Sequence, residues 1–143
     1  DYLLVGIGAG LLTVCYTQYF QPPRRALLLA DAGGLALFSI SGAQITEAAQ
    51  LNSLIVILMG TFSGVAGGVL RDVLLAEIPI ILKGSNIYAT AAIAGIAVYL
   101  SLKSLGLDDR ITTLIGMGVV MGLRLGAIIW GLTLPIYRLG DRE

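Results

Sequence analysis

Asp31, Arg71, Asp72 and Arg124 are the side chains best placed to do chemistry in this 143-residue chain, because each stands inside a long apolar run. A charge at the centre of a bilayer costs about 2.5 to 3.5 kcal/mol even on lenient insertion scales, so such groups pair with one another or face water. Arg71 and Asp72 are neighbours, about 100° apart on a helix, and that spacing predicts separate partners for them. The competing reading puts both near a membrane interface, where long side chains snorkel to water; Glu77 and Lys83, farther along, fit that reading better. Arg124 lies near the middle of the last apolar run, where snorkelling to either surface is harder. A carboxylate at similar depth, Asp72 or Asp31, is its natural partner, either for function or only to fix helix register.

Asp31 is followed by Gly33, Gly34, Ser39, Ser41, Gly42 and Gln44. On a helix, Gly34, Ser41 and Gln44 fall within about 80° of one another and form a small, polar stripe. Hydroxyl and amide oxygens suit a hydrated path for a small cation or zwitterion, and they serve equally well as interhelical hydrogen-bonding groups. In the next run, Gly60, Gly64, Gly67 and Arg71 lie within about 60° of one another, a face of nearly bare backbone that ends in a guanidinium. One reading of that face is close helix packing. The other is that Gly67-Gly68 kinks or unwinds the helix, so that freed carbonyls line a cavity and coordinate a cation. Pro79 is expected to bend the far end of the same helix. Gly118, Gly122 and Gly126 share a face expected to pack on a neighbour, with Arg124 pointing roughly away from Gly122.

Other chemistry finds little support. His is absent and Cys15 stands alone in an apolar span, so no metal-ligand set emerges and no redox compartment follows. Without a nucleophile beside a plausible base, or a phosphate-cradling loop, the sequence speaks against an enzyme and requires no cofactor. Nine basic residues balance nine acidic ones, which gives no case for a nucleic-acid partner.

Composition sets the elements that must position these groups. With 57% hydrophobic and only 13% charged residues, and a mean hydropathy of +0.90, the chain reads as an all-α polytopic membrane protein. Five apolar segments, residues 2–19, 26–47, 54–82, 87–105 and 111–137, each approach or exceed the length a helix needs to cross a hydrocarbon core. Strands are excluded by length, and helices satisfy their own backbone groups in lipid. Five crossings put Arg24, Arg25, Lys83, Arg138 and Arg142 on one side and Lys103 and Arg110 on the other. The positive-inside rule then places the C-terminus in the cytoplasm, with Trp130 and Tyr137 as interfacial anchors.

The chain begins at Asp1 rather than Met, without the pattern of a signal peptide, and is expected to start in the middle of a longer protein. Ala9-Gly10 followed by Tyr16 echoes Ala94-Gly95 followed by Tyr99, although two Ala/Gly-rich helices can also agree by chance. If the repeat unit is three helices, residues 26–105 form a complete copy, 1–20 the last helix of an earlier copy, and 111–137 a final helix. An odd unit inserts in opposite orientations, the inverted-repeat pattern of many transporters.

The combination Asp31-Ala32-x-Gly34-x-x-x-Phe38-Ser39-x-x-Gly42-Ala43, then Gly67-Gly68-Val69-Leu70-Arg71-Asp72-Val73-Leu74 and Ile78-Pro79, resembles the prokaryotic trimeric intracellular cation (TRIC) channels, a family also described as bacterial glycine transporters. Arg124 and Leu134-Pro135 look like the family's last helix. The resemblance implies the third to seventh helices of a seven-helix fold with two inverted three-helix repeats, assembled as a homotrimer in the inner membrane. It implies a potassium-permeable path within each subunit, or a carrier for glycine or another small zwitterion. The residues expected along that path are Asp31, Ser39, Ser41, Gln44, Gly67, Gly68, Arg71, Asp72 and Arg124, with membrane lipid around the assembly. Two helices carrying a second Gly-Gly, Arg-Asp motif would complete it.

Overall fold

The computed structural model describes residues 24–74 and 87–130, together with Leu4 and Gly8. The first apolar segment otherwise, with Cys15, and Pro79, Glu77, Lys83, Leu134, Pro135 and Tyr137, lie outside the described residues. Four helices carry the described chain: α1 (Arg24–Ala48), α2 (Ser53–Leu74), α3 (Ile87–Ser104) and α4 (Asp109–Trp130). All four are long and apolar enough to cross a membrane. They correspond to the second to fifth segments expected from the sequence.

Two short turns make antiparallel hairpins of α1 with α2 and of α3 with α4, and their local chemistry explains where the helices stop and restart. Gly106 takes φ 81° after α3, a left-handed position that closes helices, and the Leu107 amide reaches back to the Leu102 carbonyl. Asp108 then caps α4 by accepting from the Arg110 amide at 2.8 Å, and Asp109 puts a further negative charge on the first turn. Asn52 caps α2 in the same manner through the Leu54 amide at 3.0 Å.

α1 and α3 each pack against the other three helices. The core runs as two adjoining clusters, Leu35, Ala36, Tyr88, Ala92 and Val120, then Ile40, Ala43, Val56, Ile96 and Tyr99, with Met117 packed against both. Small residues let the backbones approach, as expected where lipid supplies no hydrophobic drive between helices. A Cβ on Gly60 would lie 2.8 Å from the Ser39 carbonyl oxygen, and one on Gly95 would lie 2.9 Å from the Gly116 carbonyl. Gly64 lies against Ser39 and Leu35 in the same α1–α2 seam. The opposite face of α2, with Leu54, Leu58, Met59, Phe62, Leu70 and Val73, is exposed, as a lipid-facing surface should be.

One local expectation needs correction. The helix runs without a break through Gly67 and Gly68 to Leu74, so the unwinding expected there is not found. On α4, no described residue lies within 4 Å of a Cβ built on Gly118 or Gly122, and among the described residues Gly126 meets only Trp130 of its own helix. Against the other described helices α4 packs through Thr112, Gly116, Val120, Arg124 and Ala127, on the opposite side of the helix.

Candidate functional site in the helix bundle

Asp31, Arg71, Tyr88 and Arg124 lie on four different helices, yet each is about 22 to 27 Å along its helix from the end at which the two short turns lie. Alternation of helix direction therefore brings them to one level. Asp31 stands at their centre. Its Oδ1 accepts from Arg71 Nη1 at 2.7 Å and from the Tyr88 hydroxyl at 3.0 Å. Its Oδ2 faces Arg124 Nη2 at 3.6 Å, an ion pair too long for a hydrogen bond. The Arg124 guanidinium lies 4.6 Å from the centre of the Tyr88 ring, within cation–π range.

Arg71 also turns back onto its own neighbour. Its Nε and Nη2 donate to Asp72 Oδ1 at 3.0 and 2.7 Å, so the expected separation of these adjacent residues is wrong. The long guanidinium stem reaches around the helix and joins both carboxylates. Among the described residues, two arginines balance two aspartates in this cluster, which is how a membrane interior can hold them. The side chains of Asp31, Asp72 and Arg124 are 3 to 5% exposed, whereas that of Arg71 is 24% exposed. Arg71 is thus the most exposed of the four charges, and it lines the cleft together with Asp31.

That cleft has a volume of about 210 Å³ and lies on the α1–α2 side, with Leu27, Gly34, Phe38 and Gly67 around Asp31 and Arg71. It is roomy enough for several waters. Gly68 and Tyr88 form its inner wall, and a Cβ on Gly68 would collide with the Tyr88 hydroxyl. Ser39 and Gln44 do not join it. Ser39 is fully buried against Gly64 between α1 and α2, and Gln44 donates to Thr113 Oγ1 of α4 at 2.7 Å. Ser41 is half-buried.

Sequence reading missed Tyr88, although a tyrosine one residue into a helix, level with a buried acid, carries the needed polar handle. It also missed a second cluster near the turns. There Glu47 accepts from the Tyr99 hydroxyl at 2.8 Å and from Lys103 Nζ at 2.9 Å, while Lys103 also reaches Asp109 at 3.1 Å. Between the two clusters the α1–α3–α4 seam is filled by Ala36, Ile40, Ala92, Ile96 and Val120, and no polar passage joins them among the described residues.

Residues 28–104 match a family model described as "Glycine transporter". The UPF0126 inner membrane protein YadS of Escherichia coli strain K12 is 37% identical, over 97% of this chain and 68% of that protein. A UPF0126 membrane protein of Vibrio cholerae is 40% identical, over 97% of this chain and 58% of its own length. Among solved structures, a TRIC cation channel described for its conductance is 31% identical with a TM-score of 0.80, over 94% of this chain and 66% of that one. The TRIC orthologue of Rhodobacter sphaeroides is 34% identical with a TM-score of 0.84, over 92% of this chain and 67% of that one. The chain thus spans between 58% and 68% of the length of these relatives. The expectation from the Gly-Gly-x-x-Arg-Asp motif holds: this multi-pass, all-helical chain belongs to the glycine transporter family, the family of the UPF0126 membrane proteins, and has the TRIC channel fold.

Proposed function

We propose that this chain forms part of a cation channel in the inner membrane, with potassium as its permeant ion and with one conduction path in each subunit of a homotrimer. The observation that carries the reading is the balanced Asp31–Arg71–Asp72–Arg124 cluster, buried among membrane-spanning helices and touching a cleft through Arg71 and Asp31. A membrane protein that needed only stability would gain as much from apolar packing at this level. The path runs along the α1–α2 side, since the α1–α3–α4 seam is filled with apolar side chains. Arg71 bonded across to Asp31 narrows this path, and release of that bond widens it. Asp72 then supplies local negative potential, Ser41 polar lining, and Gly34 and Gly67 the clearance. Residues 1–20 and 26–105 serve as the end of one repeat and the whole of the next, with 111–137 as a closing helix and the C-terminus in the cytoplasm. Two further helices complete the path.

The rival reading, a carrier for glycine or another small zwitterion, is favoured by one observation. The same cleft presents a guanidinium and a carboxylate, Arg71 and Asp31, to a space of about 210 Å³. Here Arg71 takes the substrate carboxylate and the aspartates its amine. Full-length protein in planar bilayers with KCl separates the two. Unitary currents that reverse near the potassium equilibrium potential support the channel, and saturable glycine uptake without unitary currents supports the carrier.

A further inference from the structure

Arg71 makes three hydrogen bonds, and they divide unequally between helices. Nε and Nη2 are both held by Asp72 on the same helix, and only Nη1 crosses to Asp31 on α1. Movement of α2 therefore carries Arg71 and Asp72 as one unit and, of these three bonds, breaks one. Asp31 is not stranded by that break. Tyr88 still donates to Oδ1, and Arg124 stands 3.6 Å from Oδ2, one small displacement short of a hydrogen bond. Oδ2 has no hydrogen bond in the present arrangement, so it is open to receive one. The Arg124 guanidinium lies over the Tyr88 ring, and the hydroxyl of that ring lies where a Cβ of Gly68 would be. One side chain on α3 thus touches the groups on α1, α2 and α4 that must exchange.

We infer that Tyr88 is a positioning residue for gating: its hydroxyl holds the Asp31 carboxylate, and its ring holds Arg124, so that Arg124 replaces Arg71 on Asp31 when α2 moves. This rests on the channel reading above and adds to it the residue that makes release of Arg71 affordable in a low-dielectric interior.

The two faces of Tyr88 give opposite signs on substitution, which a merely structural role does not. Tyr88→Phe keeps the ring and removes the hydroxyl. The loss is felt most once Arg71 has left, when that hydroxyl is the remaining donor among these groups on Oδ1, so the open-to-closed ratio falls about tenfold, the effect of one hydrogen bond to a charged group. Gly68→Ala crowds the hydroxyl in the latched arrangement and pushes α2 away, so the ratio rises, roughly fivefold or more for an overpacked contact. The double variant returns toward wild type because the crowded atom is gone.

The experiment is single-channel recording of the full-length protein in planar bilayers, with gel filtration confirming assembly of each variant. A fall for Tyr88→Phe, a rise for Gly68→Ala and partial rescue in the double variant support the inference. Equal ratios in wild type and Tyr88→Phe, shifts of the same sign in both single variants, or additive effects in the double variant overturn it. Should Tyr88→Phe fail to assemble, Gly68→Ala alone decides, since an unchanged or lowered ratio there also overturns it. Absence of unitary currents in the wild type overturns the channel reading itself.

Discussion

Asn in place of Asp31 keeps the shape of the side chain and removes the charge that two guanidiniums share. In the native arrangement Arg71 retains Asp72, but Arg124 is 3% exposed and faces Asp31 Oδ2 at 3.6 Å. Among the described residues, the substitution therefore turns a balanced cluster into one with a net positive charge, with Arg124 and Asp72 buried and Arg71 24% exposed. Removing one partner of a buried ion pair costs about 3 to 5 kcal/mol, whereas an interhelical hydrogen bond in a membrane is worth about 0.6 kcal/mol on average. The two figures are far enough apart to decide. Asp31→Asn should lower the unfolding free energy in micelles or bicelles by about 3 kcal/mol or more. Combining it with Arg124→Gln, which restores the balance, should recover at least half of the loss. Reversible unfolding followed by circular dichroism measures both. A loss near 0.6 kcal/mol, or no recovery in the double variant, would show that the carboxylate acts as an ordinary hydrogen-bond acceptor.

Three other outcomes follow from the same geometry. Asp72→Asn removes negative potential beside the cleft and should reduce cation flux through the assembled full-length protein with trimers intact; unchanged flux measured in proteoliposomes would remove Asp72 from the path. Gly95→Ala places a methyl against Val120 and the Gly116 carbonyl and should destabilise by about 1 to 3 kcal/mol, while Gly122→Ala, which meets none of the described residues, should stay within about 0.5 kcal/mol in the same unfolding assay. Lys103→Gln breaks bridges to Glu47 and Asp109 that lie near the turns, with the lysine side chain 33% exposed; it should cost no more than about 1 kcal/mol, and less as salt is raised.

Much of the fold was legible because lipid imposes a simple rule: long apolar runs must be helices, and the four described helices fall where the hydropathy put them. The identities of the buried charges were legible for the same reason, since Asp31, Arg71, Asp72 and Arg124 break the apolar pattern. Their pairing was not. The angular argument that separates Arg71 from Asp72 treats side chains as spokes, and a guanidinium on a flexible stem can reach back to its neighbour. Tyr88 was hidden because a tyrosine at a helix end reads as an ordinary interfacial anchor until the level of Asp31 on another helix is known. The glycine faces show the limit of periodicity. Gly60 and Gly64 meet a neighbouring helix, while Gly118 and Gly122, at the same spacing, meet none among the described residues. Spacing reveals that a face is smooth, and only the fold reveals what lies against it.

The most direct test of the central claim is single-channel recording of the full-length protein in potassium chloride, wild type beside Arg71→Gln. If the Arg71–Asp31 bond narrows a conduction path, the wild type shows unitary currents that reverse near the potassium equilibrium potential, and Arg71→Gln raises the fraction of time spent open. Silent bilayers with saturable glycine uptake, or unitary currents indifferent to Arg71→Gln, would contradict it.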